Sequence, residues 1–236
     1  MSPSVESNFA GRLLRRLGAG SHLTDAATGT KISAGEISAL TVGMAAGFLS
    51  AGLQPGDAVL IRCSLTPFST LAYLGAIYAG LVPIPIDDRV FQNSGKSLLL
   101  KTHARAVWTE SESQCAWAAE AGAKYLSGLF PTLPARPQDS LAPAPRASED
   151  LAALMPTSGS TGTPRLVRVT HANLIANTEA IIRSQSLGME ECAMLILPLS
   201  YCFGASVVHT HLYQGGGVVF DSRFMFPDKV LRAITT

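Results

Sequence analysis

Thr157-Ser158-Gly159-Ser160-Thr161-Gly162-Thr163-Pro164-Arg165 lies between two apolar runs, residues 151–155 and 166–169. Apart from Arg165 it is built of Gly, Ser, Thr and Pro. Gly159 and Gly162 open backbone conformations closed to other residues, so successive N–H groups can turn inward around an anion. The hydroxyls of Ser158, Ser160, Thr161 and Thr163 add donors, and Arg165 adds a fixed charge with a bidentate fork. By composition this is a phosphate-gripping loop. No Gly-Lys-Ser/Thr follows at Walker A spacing, which excludes that class of phosphate loop. A flexible hairpin turn is the plain alternative that the same residues allow.

Working outward, residues 151–155 read as the strand that feeds the loop and 166–170 as the next apolar segment. Residues 173–187 place Leu174, Thr178, Ile181 and Ile182 on one helical face, with Gly188 as the stop. His171, just before that helix, reads as a capping or packing residue. A buried strand over 193–197 ends at Pro198. Then Pro198-Leu199-Ser200-Tyr201-Cys202-Phe203-Gly204 leaves the strand, turns at Gly204 and enters an apolar helix. Ligands of open α/β sheets bind outside the carboxyl ends of strands, which draws attention to this turn. Taken alone, Tyr201 and Phe203 read as core aromatics and Cys202 as a buried thiol. His209 and His211 fall on different faces of the predicted helix, so they do not converge on a metal. Gly215 to Gly217 ends the helix before a strand over 218–220.

Towards the N-terminus, residues 9–17 predict a short docking helix and 25–31 a hairpin turn around Thr28-Gly29. Ser33 and Glu36 have capping-box spacing for a helix whose Ile37, Leu40, Met44 and Phe48 form the buried stripe. Strands are expected at 58–61, 82–86 and 104–108. Helices are expected at about 66–79, 95–102 and 112–121. Short-spaced alternation of this kind implies parallel strands with helices on both faces. Pro131, Pro134, Pro137, Pro143 and Pro145 mark a linker that is neither continuous helix nor central strand. The expected organisation is therefore α/β, with two layered αβα lobes and mostly parallel sheets: residues 1–130, a linker at 131–150, and 151–236.

The loop closely resembles the nucleotide loop of the adenylate-forming superfamily. That superfamily includes acyl-CoA synthetases, acyl-AMP ligases, luciferases and the adenylation domains of peptide synthetases. The family loop usually ends Pro-Lys-Gly, where this chain has Pro164-Arg165-Leu166. Residues 52–57 and 74–87 are also similar to family turns, which extends the likeness over most of residues 30–220. The segment from Pro198 resembles the family's Leu-Pro-x-x-His-x-x-Gly motif, with Tyr201 at the His position. A tyrosine donates a hydrogen bond but does not shuttle protons near neutral pH, so a gating or orienting role fits it.

The resemblance implies ATP-dependent activation of a carboxylic acid as acyl-adenylate, then transfer to a thiol of coenzyme A or a carrier protein. Loop residues 157–163 would bind ATP phosphates, Thr161 would stand near Mg²⁺, and Arg165 would replace a flexible Lys. Tyr201, Cys202, Phe203 and Ser206 would meet a moderately apolar acid. The family's later motifs are absent before Thr236, so the expectation is an N-terminal part, inactive alone, that stops inside a helix begun near Pro227. The alternative is a non-catalytic nucleotide-binding or scaffold protein with a degenerate lobe, which Arg165, Leu166 and Tyr201 favour and the intact Ser/Thr/Gly loop opposes.

Composition excludes several other classes. Charged residues are 15% of the chain and the net charge is +1, with no basic run to meet nucleic acid. No strand is followed by GxGxxG, which removes a dinucleotide-binding oxidoreductase. The uncharged runs 68–86 and 192–220 are interrupted by Gly and Pro and read as core elements rather than membrane spans. The Arg-bearing N-terminus lacks a signal-peptide core. Cys63, Cys115, Cys192 and Cys202 are far apart, with no CxxC, and read as reduced thiols of a cytoplasmic protein, mostly core filler.

Overall fold

The computed structural model describes residues 2–111, 115–128, 141–157 and 164–222. Its centre is a parallel sheet formed by β3 (Ala58–Arg62), β4 (Val82–Ile86), β5 (Ala106–Thr109) and β6 (Lys124–Ser127), in the spatial order β4-β3-β5-β6. Side chains alternate across this sheet. Val59, Ile61, Ala106 and Trp108 enter one core, and Leu60 and Val107 enter another on the opposite face. Helices α2 (Ala34–Ser50) and α3 (Pro67–Tyr78) supply the first core. Helices α4 (Asp88–Thr102) and α5 (Ala116–Glu120) cover the second. The αβα layering expected from the alternation is therefore present.

Sequence logic explains several of these elements. Glu36 closes the capping box: its carboxylate accepts from Ser33 N–H at 2.8 Å and from Ser33 Oγ at 2.6 Å. Helices α2 and α3 cross at Gly75, where an added Cβ would stand 2.5 Å from Met44 Cβ and 3.0 Å from Thr41 O. The uncharged run 68–86 becomes α3 and β4, and no helix among the described residues is long and apolar enough to cross a membrane.

Three details differ from the sequence expectation. Helix α4 starts at Asp88 rather than near Gly95, because Asp87 caps it by accepting from Val90 N–H at 2.8 Å. Its first turns are largely exposed and polar, which hid the apolar period. Strand β6 was not expected. It joins the sheet edge, and its pattern is too exposed to stand out in a hydrophobicity reading.

The third difference is topological. A second sheet has the order β2-β1-β10-β9, from β1 (His22–Asp25), β2 (Lys31–Ser33), β9 (Cys192–Leu195) and β10 (Gly217–Phe220). The expected hairpin at 25–31 is present as the antiparallel β1–β2 pair, while β1 pairs in parallel with β10 and β10 with β9. Strands from both sides of residues 131–150 thus share one sheet. The described end of that stretch is irregular and pinned in place. Tyr78 OH donates to Leu141 O at 2.7 Å, Ala144 N–H to Tyr78 O at 2.9 Å, and Asn8 Nδ2 to Ala144 O at 3.1 Å.

Candidate functional site

The apolar runs around the quoted loop form β7 (Leu151–Pro156) and β8 (Leu166–Thr170), which pair antiparallel out to Pro156↔Leu166. The pairing closes beyond the strands: Thr157 N–H donates to Arg165 O at 2.8 Å and Thr157 Oγ1 to the same oxygen at 3.3 Å. Residues 158–163, which carry Ser158, Gly159, Ser160, Thr161, Gly162 and Thr163, lie outside the described residues. Their two ends are held side by side. The hairpin reading and the phosphate-loop reading are therefore compatible, since one turn can serve both. Pro164 is buried and Arg165 exposed, and the guanidinium makes no ion pair among the described residues.

The second candidate segment lies where β9 ends. Tyr201 is the N-cap of α7 (Cys202–Gln214); its N–H donates to Pro198 O, and its carbonyl accepts from Ala205 N–H, both at 3.0 Å. The turn is tighter than expected, with Gly204 inside the helix rather than before it. A Cβ at Gly204 would stand 2.5 Å from both Leu197 O and Pro198 O, so only glycine lets the helix start against the strand end.

Tyr201 is 40% and Phe203 65% exposed, which corrects the core reading of both aromatics. Cys202 is exposed as well, and so is Cys192; only Cys63 and Cys115 fill core. Ser206 is half-buried one turn further on, with its Oγ 3.5 Å from Asn177 Nδ2. Tyr201, Cys202 and Phe203 thus form an open rim at the start of α7. Helix α6 (His171–Gln185) packs against β7, β8 and α7, joining the hairpin and this rim in one layered unit.

Behind the rim is a feature that sequence reasoning missed. Among the described residues, Thr70 Oγ1, Tyr73 OH, Ser200 Oγ and His209 Nε2 are buried without a hydrogen-bond partner. The rings of Tyr73 and His209 stack at 5.6 Å, and Phe9 meets His209 edge-on at 4.8 Å. Burial draws His209 down to about 3, so it is a neutral imidazole at physiological pH. Burial likewise raises the Tyr73 hydroxyl above its ordinary value, with Cys63 and Cys202 adding to the shift. Thr70 and Tyr73 at i, i+3 on a helix that buries every side was the available signal.

His171 is the first residue of α6 and fully buried, a packing role as expected. Its Nδ1 accepts from Phe9 N–H at 3.1 Å. Burial, then the charge of Arg146, lowers it to about 4. His209 is buried while His211 turns its Nδ1 to Val207 O at 2.9 Å, so the two histidines point apart as their spacing required. Among the described residues no group of three or more His, Cys, Asp and Glu side chains could hold a metal.

These elements define the class of fold: a layered, mostly parallel α/β unit with the β7–β8 pair closed beyond its strands and an aromatic rim at a strand's carboxyl end. Residues 18–236 match the family model of the AMP-binding enzymes, and the chain belongs to that family. It is 30% identical to a feruloyl-CoA synthase of an Amycolatopsis species, over 87% of this chain and 42% of the relative. To the sulfoacetate–CoA ligase of Cupriavidus necator it is 31% identical, over 75% of this chain and 37% of that protein. The fold matches ATP-bound MatB from Rhodopseudomonas palustris with a TM-score of 0.86 at 24% identity, covering 100% of this chain and 48% of that one. The chain spans less than half the length of these relatives.

Proposed function

We propose that this chain is the nucleotide-gripping part of an ATP-dependent ligase that joins a carboxylic acid to AMP and passes the acyl group to a thiol, of coenzyme A or of a carrier protein. The observation that carries this reading is the closure of the Ser/Thr/Gly turn by the Thr157–Arg165 hydrogen bond at 2.8 Å. It brings the ends of a donor-rich loop together, so that its hydroxyls and N–H groups can converge on pyrophosphate oxygens. Arg165, unpaired and exposed among the described residues, is free to meet that charge.

The donor set suits Mg²⁺ arriving with ATP. Mg²⁺ takes few protein oxygens and otherwise phosphate and water, which a single hydroxyl such as Thr161 can supply. When bound, the ion would neutralise phosphate charge as the pyrophosphate leaves. The exposed rim supports contact with the acid: Tyr201 orients or gates, while Cys202, Phe203 and Ser206 offer a mixed, moderately apolar wall. With only these parts, the chain alone should grip nucleotide and turn over slowly or not at all.

Titration calorimetry of MgATP tests the reading. Wild type should bind, and Thr161→Ala or Arg165→Ala should weaken binding about tenfold, the loss of one charge-assisted contact. Unchanged affinity in both variants would overturn the assignment of the loop. The second reading, a non-catalytic binding or scaffold protein, is favoured by Arg165, Leu166 and Tyr201. It predicts MgATP binding without pyrophosphate release, even when the rest of the family's fold is supplied.

A further inference from the structure

On the second sheet, His22, Gly217 and Cys192 are neighbours in register across β1, β10 and β9. The outer two are separated by two strand spacings, roughly 10 Å. The imidazole of His22 spans that gap by lying over the glycine. A Cβ at Gly217 would stand 2.7 Å from both His22 Nδ1 and Nε2, so any other residue there would displace the ring. His22 Nδ1 lies 2.9 Å from Gly20 O, and a carbonyl only accepts, so Nδ1 carries the proton. With the proton of this tautomer on Nδ1, Nε2 is the acceptor, 3.7 Å from Cys192 Sγ and within reach of an S–H donor. A nucleophile, a base and a group that fixes the base's tautomer are all present.

We propose that Cys192 with His22 is a thiol-modification site that undergoes exchange with small-molecule disulfides. Sγ attacks one sulfur of the disulfide, a Cys192 S–S bond forms, and the original S–S bond breaks. The thiol proton passes to His22 Nε2 and then to the departing thiolate, which leaves as one equivalent of thiol. Cys192 is exposed and open to such a reagent, whereas Cys63 and Cys115 are buried. Partial burial holds the Cys192 thiol above its ordinary value against the pull of Lys31 on β2. The base therefore acts as attack proceeds. Cys202, the other exposed thiol, has no hydrogen-bonded imidazole among the described residues and serves as the internal comparison.

The experiment treats the protein with oxidised glutathione and follows each cysteine by peptide mass spectrometry across pH 5.5–9. Cys192 should form the mixed disulfide faster than Cys202. His22→Gln should slow Cys192 about tenfold, move its profile to the alkaline thiol range, and leave Cys202 unaffected. Gly217→Ala should do the same by displacing the ring. A thermal melt of each variant separates this from unfolding, because His22→Gln removes no core side chain. Reaction at Cys202 alone, or a Cys192 rate and profile unchanged in His22→Gln, overturns the proposal.

Discussion

The two faces of the parallel sheet bury cores of different chemistry. Beneath α4 and α5, Leu60, Ile84, Phe91, Leu98, Val107 and Ala118 pack against one another. On the opposite side, among α2, α3, α6 and α7, the side chains of Thr41, Thr70, Tyr73, His171, Thr178, Ser200 and His209 bury atoms that have no hydrogen-bond partner among the described residues. Each such atom costs about 1–3 kcal/mol when left unsatisfied. Departures from packing consistency gather at functional sites. The first core is scaffold. The second lies behind the Tyr201–Phe203 rim and is where ligand contacts are to be sought.

Acid should expose the contrast most strongly. His171 and His209 stay neutral in the fold down to about 4 and about 3, yet both take a proton near 6.5 when unfolded. Below 6.5 the unfolded state therefore binds more protons. Stability is complete above that pH and falls as pH drops toward the folded values, by about 1.4 kcal/mol per unit per histidine. Denaturant melts from pH 6.5 to 5 should lose roughly 3 kcal/mol, and His209→Phe should lose about half as much. A flat profile would erase the distinction between the cores.

Leu98→Ala is the matching probe of the scaffold side. It should cost about 3 kcal/mol in a urea melt with its acid slope and MgATP affinity unchanged. A change in affinity would mean that both faces serve the site. Tyr73→Phe is the smallest perturbation. Removing an orphaned hydroxyl should leave stability within about 1 kcal/mol of wild type, or raise it. A loss well beyond that would mean the hydroxyl has a partner in solution, and the core would be less polar-frustrated than its geometry indicates.

Local signals made much of this legible from the residues. The Ser33–Glu36 capping box, the Gly and Pro breaks that split 68–86 into α3 and β4, and the apolar runs of β3 and β7 all act within a few residues. Each is expressed wherever the chain goes. The Ser/Thr/Gly order of 157–165 and the turn from Pro198 likewise pointed to the family that residues 18–236 match. Less was legible where elements are weakly apolar. Helix α4 begins on exposed polar turns and β6 is a half-exposed edge, so neither has a clear period.

The residues by themselves determined most helices and strands and the donor-rich composition of 157–165, because propensity, capping and turn residues act locally. Only the tertiary structure decided that β1 and β2 join β9 and β10, since strand pairing across nearly two hundred residues leaves no local trace. It also decided that Tyr201 and Phe203 face outward while Tyr73 and His209 are sealed in. Burial is set by what packs on a side chain, not by the side chain's own type. The same holds for His22 and Cys192, far apart in the chain and brought within 3.7 Å by a glycine on the strand between them.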